Sequence, residues 1–190
     1  DAVDAIAKKY EGALGAMGPT KAGRFLDAGR VKLLPMPDST HDRLVELLRT
    51  AQRSIDLEIY QLQDRGVVAA LEDAASRGVR VRVMLEPKTV GFQNFDPVSK
   101  ELSSKGITVT STPPDFDSHH NVDHAKFAIL DGKELVFASG NMVRSGLGGV
   151  TDKRFDNRDF WIEDTRDASL RDAQRVFDAD LARKSTSGQE

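Results

Sequence analysis

The chain has 190 residues, a formal net charge of −3, a hydrophobic fraction of 39% and a charged fraction of 30%. This composition is typical of one folded globular domain, and it excludes a disordered chain. No apolar run reaches the ~18 residues that a membrane-spanning helix needs. The absence of cysteine excludes disulfides, thiolate metal ligands and cysteine nucleophiles, and it leaves the cellular compartment open.

The two ends of the chain differ from its middle. Apolar residues at helical spacing from Ala2 to Leu14 predict a short amphipathic helix, which glycines and Pro19 interrupt. We assign residues 1–30 to an N-terminal helical arm and residues 184–190 to a polar tail. The chain starts at Asp1 without Met or a signal-like segment, so we expect that preceding sequence has been removed.

Residues 31–183 are predicted to form one α/β domain, which begins with alternating strands and helices. The first half predicts strands near 31–34, 54–62 and 79–85, with helices near 40–51 and 67–77 between them. Arg77-Gly78 is typical of a helix end. A strand, a helix and a second strand in succession favour a crossover unit with parallel strands.

The second half predicts a helix near 96–104, a strand after Gly106 and then a polar loop over 115–123. Strands near 125–130 and 134–138 follow, joined by the hairpin turn signal Asp131-Gly132. A last strand near Phe160 precedes an amphipathic helix over 168–182. We therefore expect a layered α/β fold whose mixed, mostly parallel sheet has about six to eight strands flanked by helices.

The chemistry is concentrated around His124-Ala125-Lys126. Residues two apart on a strand point to the same face, so His124 and Lys126 are expected to project together. A lysine can hold an anion while the imidazole attacks it or moves a proton. A phosphate is the natural anion for such a pair.

Three further residues are candidates for the same site. If the hairpin pairs as predicted, Ser139 and Asn141 lie beside His124 and Lys126, where both can donate hydrogen bonds to a phosphate oxygen. Asp159 precedes the last strand and is expected to accept a hydrogen bond from the second ring nitrogen of His124.

The pattern HxKxxxxD over His124–Asp131 resembles the signature of the phospholipase D superfamily. The Ser139/Asn141 and Asn157/Asp159 pieces follow it in that family's order, and the upstream segments Ser54–Tyr60 and Ala69–Leu85 are similar to the family's first strand, helix and strand. The resemblance covers about Val31 to Ala182. It therefore implies a phospholipase D-like fold for most of the chain.

The resemblance also implies a function and a role for each residue. Members cleave or transfer phosphodiesters through a covalent phosphohistidine, without a metal or other cofactor. His124 would be the nucleophile or the general acid and base, and Lys126 and Asn141 would bind the phosphate. Ser139 would support them and Asp159 would orient His124, whereas Asp131 would be structural.

This chain has only one such motif, although the family's site combines two. His41, His119 and His120 have no lysine two residues later. The second motif would come from a homodimer partner or from a missing half-chain. The chain also has Asp159 where the family usually has Glu, and Ala138 in place of the first glycine of the family's GSxN sequence.

Several alternatives remain open at this stage. The His/Asp-rich loop that includes His119 and Asp115 is a weaker candidate for a metal site, and we favour it as a substrate rim with His120, Asp117 and Arg158 as candidate contacts. We expect a phospholipase D-type phosphodiesterase acting on phospholipids. The alternatives are a non-specific endonuclease acting as a homodimer, and a non-catalytic phosphate-binding or dimerisation half. For a soluble bacterial-type protein we favour an extracytoplasmic location.

Overall fold

The structure, a computed structural model, describes residues 30–35, 40–87, 89, 95–112, 122–148 and 157–182. The predicted arm before Arg30 and the polar tail lie outside these residues, so the domain bounds stay a prediction. Within the described residues, the elements are close to their predicted positions. In chain order they are β1 (Val31–Pro35), α1 (Thr40–Thr50), β2 (Ser54–Ile59), α2 (Arg65–Ser76), β3 (Arg80–Leu85), α3 (Phe95–Ser104), β4 (Thr108–Ser111), β5 (Lys126–Leu130), β6 (Glu134–Ala138), β7 (Phe160–Asp164) and α4 (Asp167–Leu181).

The strands form one sheet of seven in the order β1-β7-β6-β5-β2-β3-β4. The pairs β2–β3 and β3–β4 are parallel, as the strand-helix-strand pattern predicts. The other four pairs are antiparallel. The sheet is therefore mixed, as expected, but the expectation that it is mostly parallel was wrong. The hairpin at Asp131-Gly132 reverses the chain after β5, and β6, β7 and β1 continue the alternation of direction.

Helices cover both faces of the sheet. One apolar core lies on the face covered by α1, α2 and α3, and a smaller one lies under α4. Because side chains alternate along a strand, Leu57 and Ile59 of β2 face the larger core, whereas Asp56 and Glu58 face α4. The larger core includes Leu44, Leu48, Leu71, Leu102 and Trp161, and the smaller one includes Met84, Ile129, Leu135, Leu170 and Phe177.

Candidate active site

The site begins where β2 ends and β5 starts. These strands are antiparallel and Ile59 is paired with Lys126, so the residues after β2 lie beside those before β5. The Tyr60 N–H extends the pairing by donating to the Ala125 carbonyl over 3.1 Å. This register brings Tyr60 next to the predicted His124/Lys126 pair.

The Tyr60 ring contacts both predicted catalytic side chains. The centroids of the Tyr60 and His124 rings are 4.7 Å apart in an edge-to-face arrangement. Lys126 Nζ lies 5.5 Å from the centroid of the same ring, within the range of a cation–π contact. The structure thus places His124 and Lys126 together against one aromatic ring.

Lys126 is a buried cation at the start of the central strand β5, with only 6% of the residue exposed. Its Nζ donates to the His124 carbonyl over 2.7 Å, which uses one of its three N–H donors. Burial lowers the pKa of Lys126, while the negative charges of Asp123 and Asp159 oppose that effect. The ammonium is therefore held in place beside the imidazole and is equipped to bind an anion.

His124 is exposed to solvent above this lysine. Burial of its ring lowers the pKa of His124, the Lys126 charge lowers it further, and the Asp123 carboxylate opposes both. A lowered pKa favours the neutral imidazole at neutral pH. The neutral ring has the free nitrogen lone pair that a nucleophile or general base needs.

Ser139 and Asp159 join the ends of β6 and β7. Ser139 Oγ donates to Asp159 Oδ1 over 2.8 Å and accepts the Phe160 N–H over 3.1 Å. The sequence predicted that Asp159 would accept a hydrogen bond from His124. Among the described contacts, the partner of Asp159 is Ser139 instead, and Asp159 acts on the site through its charge on Lys126.

Gly140 lets Asp159 approach the turn after β6. A Cβ atom at Gly140 would lie 2.7 Å from Asp159 Oδ2 and 2.8 Å from its Cγ, too close for either atom. This glycine, which follows Ser139 in the motif, therefore provides the space that the carboxylate occupies. Its next neighbour, Asn141, begins the loop that returns toward β2.

Asn141 is held by the residues after β2. Its Nδ2 donates to Gln61 Oε1 over 3.1 Å. The next residue, Met142, donates its N–H to the Gln61 carbonyl, and its own carbonyl accepts the N–H groups of Gln63 and Asp64. The other Nδ2 hydrogen has no acceptor among the described residues. Asn141 Oδ1 is buried and has no hydrogen-bond donor among the described residues.

Asp131 lies at the opposite end of β5 from His124. Its carboxylate accepts backbone N–H groups of Gln52, Arg53 and Ser54 over 2.7–3.1 Å. Asp131 and Gly132 have φ angles of 56° and 65°, as in a type I′ turn, and Lys133 N–H donates to the Leu130 carbonyl. These contacts fix the hairpin and the start of β2, and they lie far along the strand from the imidazole.

The sequence reasoning missed Tyr60, Gln61 and Asp123 as parts of the site. Tyr60 and Gln61 follow a strand that was correctly predicted, but their importance comes from the pairing of β2 with β5. Asp123 adjoins His124 in the sequence, and an acidic residue beside a catalytic histidine was a signal that could have been used. Its burial, with 3% of the residue exposed, could not be read from the polar loop around it.

Of the three predicted rim residues, only Arg158 lies within the described part of the chain. Asp117 and His120 lie outside the described residues, together with His119 and Asp115, while Arg158 is exposed next to Asp159. No group of three His, Asp or Glu side chains in the described parts of the chain is arranged to hold a metal ion. Among the described helices, none is long and apolar enough to cross a membrane.

The chain resembles known proteins in family, in sequence and in fold. The family model described as "Cardiolipin synthase, PLD-like domain" matches residues 44–181. "Mitochondrial cardiolipin hydrolase" of Xenopus tropicalis is 32% identical over 57% of this chain and 48% of its own length. "Phospholipase D" of Rickettsia bellii is 30% identical over 64% of this chain and 54% of its own length. The chain thus spans about half the length of these curated relatives.

The fold has a solved counterpart as well. The phospholipase D family member Nuc from Salmonella typhimurium superimposes with a TM-score of 0.69 at 14% identity, covering 82% of this chain and 95% of that one. At this identity the likeness supports the fold alone. The family match spans most of the described domain and includes both His124 and Asp159. The chain therefore belongs to the phospholipase D superfamily.

Proposed function

We propose that this chain is a phosphodiesterase that works through a covalent phosphohistidine on His124. The observation that carries the proposal is the Tyr60 ring with the His124 imidazole and the Lys126 ammonium against it. This arrangement combines a nucleophile whose pKa is lowered by burial with a fixed cation for the phosphate.

In the first step, a ring nitrogen of His124 attacks phosphorus as the bond from phosphorus to the leaving oxygen breaks. The Lys126 ammonium and the second Nδ2 hydrogen of Asn141 bind the phosphoryl oxygens and offset the charge that develops on them. The leaving oxygen takes a proton from a general acid. In the second step, water or an alcohol gives a proton to that same group, attacks phosphorus and releases His124. Neither step calls for a metal or cofactor.

The general acid must be a second group, and we propose that it is His124 of a second copy of this chain. His41, the other histidine in the described residues, hydrogen-bonds Asp42 and Asp64 at the start of the domain. A symmetric homodimer would place two identical motifs at one interface. A separate half-chain carrying its own motif is the alternative source.

We propose phospholipids as the substrate class. The relatives named mitochondrial cardiolipin hydrolase and phospholipase D support this choice, and so does the cardiolipin synthase description of the family. Phe160, which follows Asp159, is 45% exposed and offers an apolar contact beside the site. An extracytoplasmic location is part of the same proposal.

Nucleic acid is the second candidate substrate, for an endonuclease that acts as a homodimer. Arg144 and Arg158 are exposed beside Asn141 and Asp159, where they can attract a polyanion. Salt separates the two substrates. Cleavage of a nucleic acid should fall steeply with added salt, whereas hydrolysis of a phospholipid in micelles should change little. A non-catalytic half would cleave neither.

The test is hydrolysis of an activated phosphodiester in the presence of EDTA over a range of protein concentrations. We expect activity that His124→Ala abolishes and that His41→Ala, the matched histidine control, retains. Loss of activity on adding EDTA would contradict the metal-free mechanism. No activity in any preparation would support the non-catalytic half.

Mixing active and inactive chains tests the composite site. Wild type and His124→Ala are refolded together in different ratios. If two copies supply one histidine each, the activity that remains should be proportional to the square of the wild-type fraction, because only dimers of two wild-type chains are active. A linear loss would show that each chain works alone or with a different partner. The rates of hydrolysis of a phospholipid in micelles and of single-stranded DNA are then compared at low and high salt to assign the substrate class.

A further inference from the structure

A cluster of buried carboxyl groups lies next to the proposed nucleophile, and the mechanism above does not use it. Its members come from four parts of the fold and are each exposed by 4% or less. They are Glu58 on β2, Glu86 after β3, Asp123 before β5 and Asp180 near the end of α4. Buried acids in such numbers are costly unless protons or donors satisfy them.

Two of these groups fix the backbone on either side of His124. Glu86 Oε2 accepts the Asp123 N–H over 2.9 Å and the Thr112 hydroxyl over 3.1 Å. Asp123 Oδ1 accepts the Ala125 N–H over 2.8 Å. His124 therefore lies between two residues whose main-chain N–H groups are bonded to buried carboxylates.

The Glu58 and Asp123 side chains influence each other directly, and the Asp123 charge raises the pKa of Glu58. Glu58 Oε2 and Asp123 Oδ2 are both buried and receive no hydrogen bond from a donor in the described residues. Two ionised carboxylates have no hydrogen to share. One proton between them satisfies both orphaned oxygens.

We propose that Glu58 and Asp123 form a carboxyl–carboxylate pair with one shared proton, and that the single negative charge left on the pair positions the Lys126 ammonium and the His124 imidazole. Both are positioning residues for the reaction, because neither reaches the phosphate itself. This inference deepens the proposed function and rests on it.

The surroundings assign the proton to Glu58. Burial raises the pKa of Glu58 to about 9, and the charges of Asp123 and then Asp180 contribute. Burial raises the pKa of Asp123 too, and the Glu86 charge adds to that effect, whereas the Ala125 N–H, Glu58 and the Lys126 charge favour its ionised form. Glu58 is therefore the donor and Asp123 the acceptor. Burial, then Asp123, raises the pKa of Asp180 to about 6, so Asp180 is mostly ionised above neutral pH.

A single negative charge on the Glu58/Asp123 pair suits the proposed reaction better than none or two. The Asp123 carboxylate raises the pKa of both His124 and Lys126, opposing burial in each case. A neutral pair would leave the buried ammonium with Asp159 as its other opposing charge. A pair with two charges would favour the protonated imidazole, which cannot attack phosphorus.

Infrared spectroscopy tests the shared proton without any need for activity. At pH 8 we expect a carbonyl band from a protonated carboxyl group in the wild type, sensitive to exchange into D₂O, and its loss in Glu58→Gln. The control Glu46→Gln removes an exposed carboxylate on α1 and should retain the band. Absence of the band from the wild type, or its persistence in Glu58→Gln, would overturn the proposal.

NMR titration of the His124 ring tests the charge. We expect Asp123→Asn to lower the pKa of His124 by at least ~0.5 pH unit, and Glu58→Gln, which mimics the protonated acid, to leave it unchanged. An unchanged pKa in Asp123→Asn would refute the positioning role. If Asp123→Asn does not fold, Asp123→Ser serves in its place. Because the titration also works on an inactive protein, a failed phosphodiesterase assay and a failed positioning role give different results.

Discussion

The two ends of β5 carry the two halves of the HxKxxxxD pattern and are built in opposite ways. At the turn end, the Asp131 carboxylate is saturated by backbone N–H groups of three consecutive residues. At the site end, the imidazole of His124 is exposed, and Lys126 uses one of its three N–H donors on the His124 carbonyl. One motif therefore combines a residue that satisfies the backbone with residues that keep bonding capacity for a substrate.

The largest expected effect is a loss of activity when the lysine at the site end of β5, rather than the lysine at the turn end, loses its charge. Lys126→Met should lower activity toward an activated phosphodiester by ~10³-fold, because the phosphoryl oxygens lose their fixed cation. Its melting temperature should also fall, since the buried Asp123 carboxylate loses the cation that offsets its charge. Lys133→Met, at the exposed turn end of the same hairpin, is the matched control and should keep full activity.

Steady-state kinetics and thermal unfolding of both variants decide this prediction. Equal losses in Lys126→Met and Lys133→Met would mean that general charge, rather than the site end of β5, attracts the substrate.

The next effect should appear in stability at the turn end. Asp131→Asn retains one acceptor and tolerates positive φ, and it should lower the free energy of unfolding by about 1–2 kcal/mol. Activity at low temperature should survive. Burial tends to raise the pKa of Asp131, but the N–H groups of Ser54, Gln52 and Arg53 outweigh it, and the pKa is lowered.

The pH dependence follows from that direction. A carboxylate with a lowered folded pKa contributes stability above its unfolded pKa of about 3.9, and the contribution is lost as pH falls through the folded value. The stability difference between wild type and Asp131→Asn should therefore shrink below about pH 4. Denaturant unfolding at pH 7 and pH 3 measures it, and a constant difference would contradict the account.

A smaller effect is expected from the contact between Gly140 and Asp159. Gly140→Ala should lower activity by ~10-fold, since the added methyl group displaces the carboxylate that Ser139 holds. In an Asp159→Ala background, where that carboxylate is absent, the same substitution should have little further effect. Additive losses in the double-mutant cycle would show that Gly140 acts through something other than Asp159.

What could be predicted from the sequence was mostly local. The hairpin at Asp131-Gly132 could be predicted because both residues favour the positive φ that a type I′ turn needs. The juxtaposition of His124 and Lys126 follows from the two-residue period of a strand. The helices followed from apolar spacing together with end signals such as Arg77-Gly78.

What could not be predicted depends on which strands become neighbours. Tyr60 and Gln61 join the site because β2 pairs with β5, and the partner of Asp159 depends on how β7 meets β6. The same long-range pairing makes most of the sheet antiparallel. The proposed pair Glu58 and Asp123 lies 65 positions apart in the sequence, so no local pattern connects them.

The central claim is the covalent phosphohistidine on His124, and trapping it is the most direct test. The protein is mixed with an activated phosphodiester, quenched by rapid denaturation at alkaline pH, and examined by intact mass and peptide mapping. The account predicts an adduct with the mass of the substrate's phosphoryl group on His124, labile to acid and absent from His124→Ala. Turnover without an adduct on His124 under single-turnover conditions, or an adduct on another residue, would contradict it.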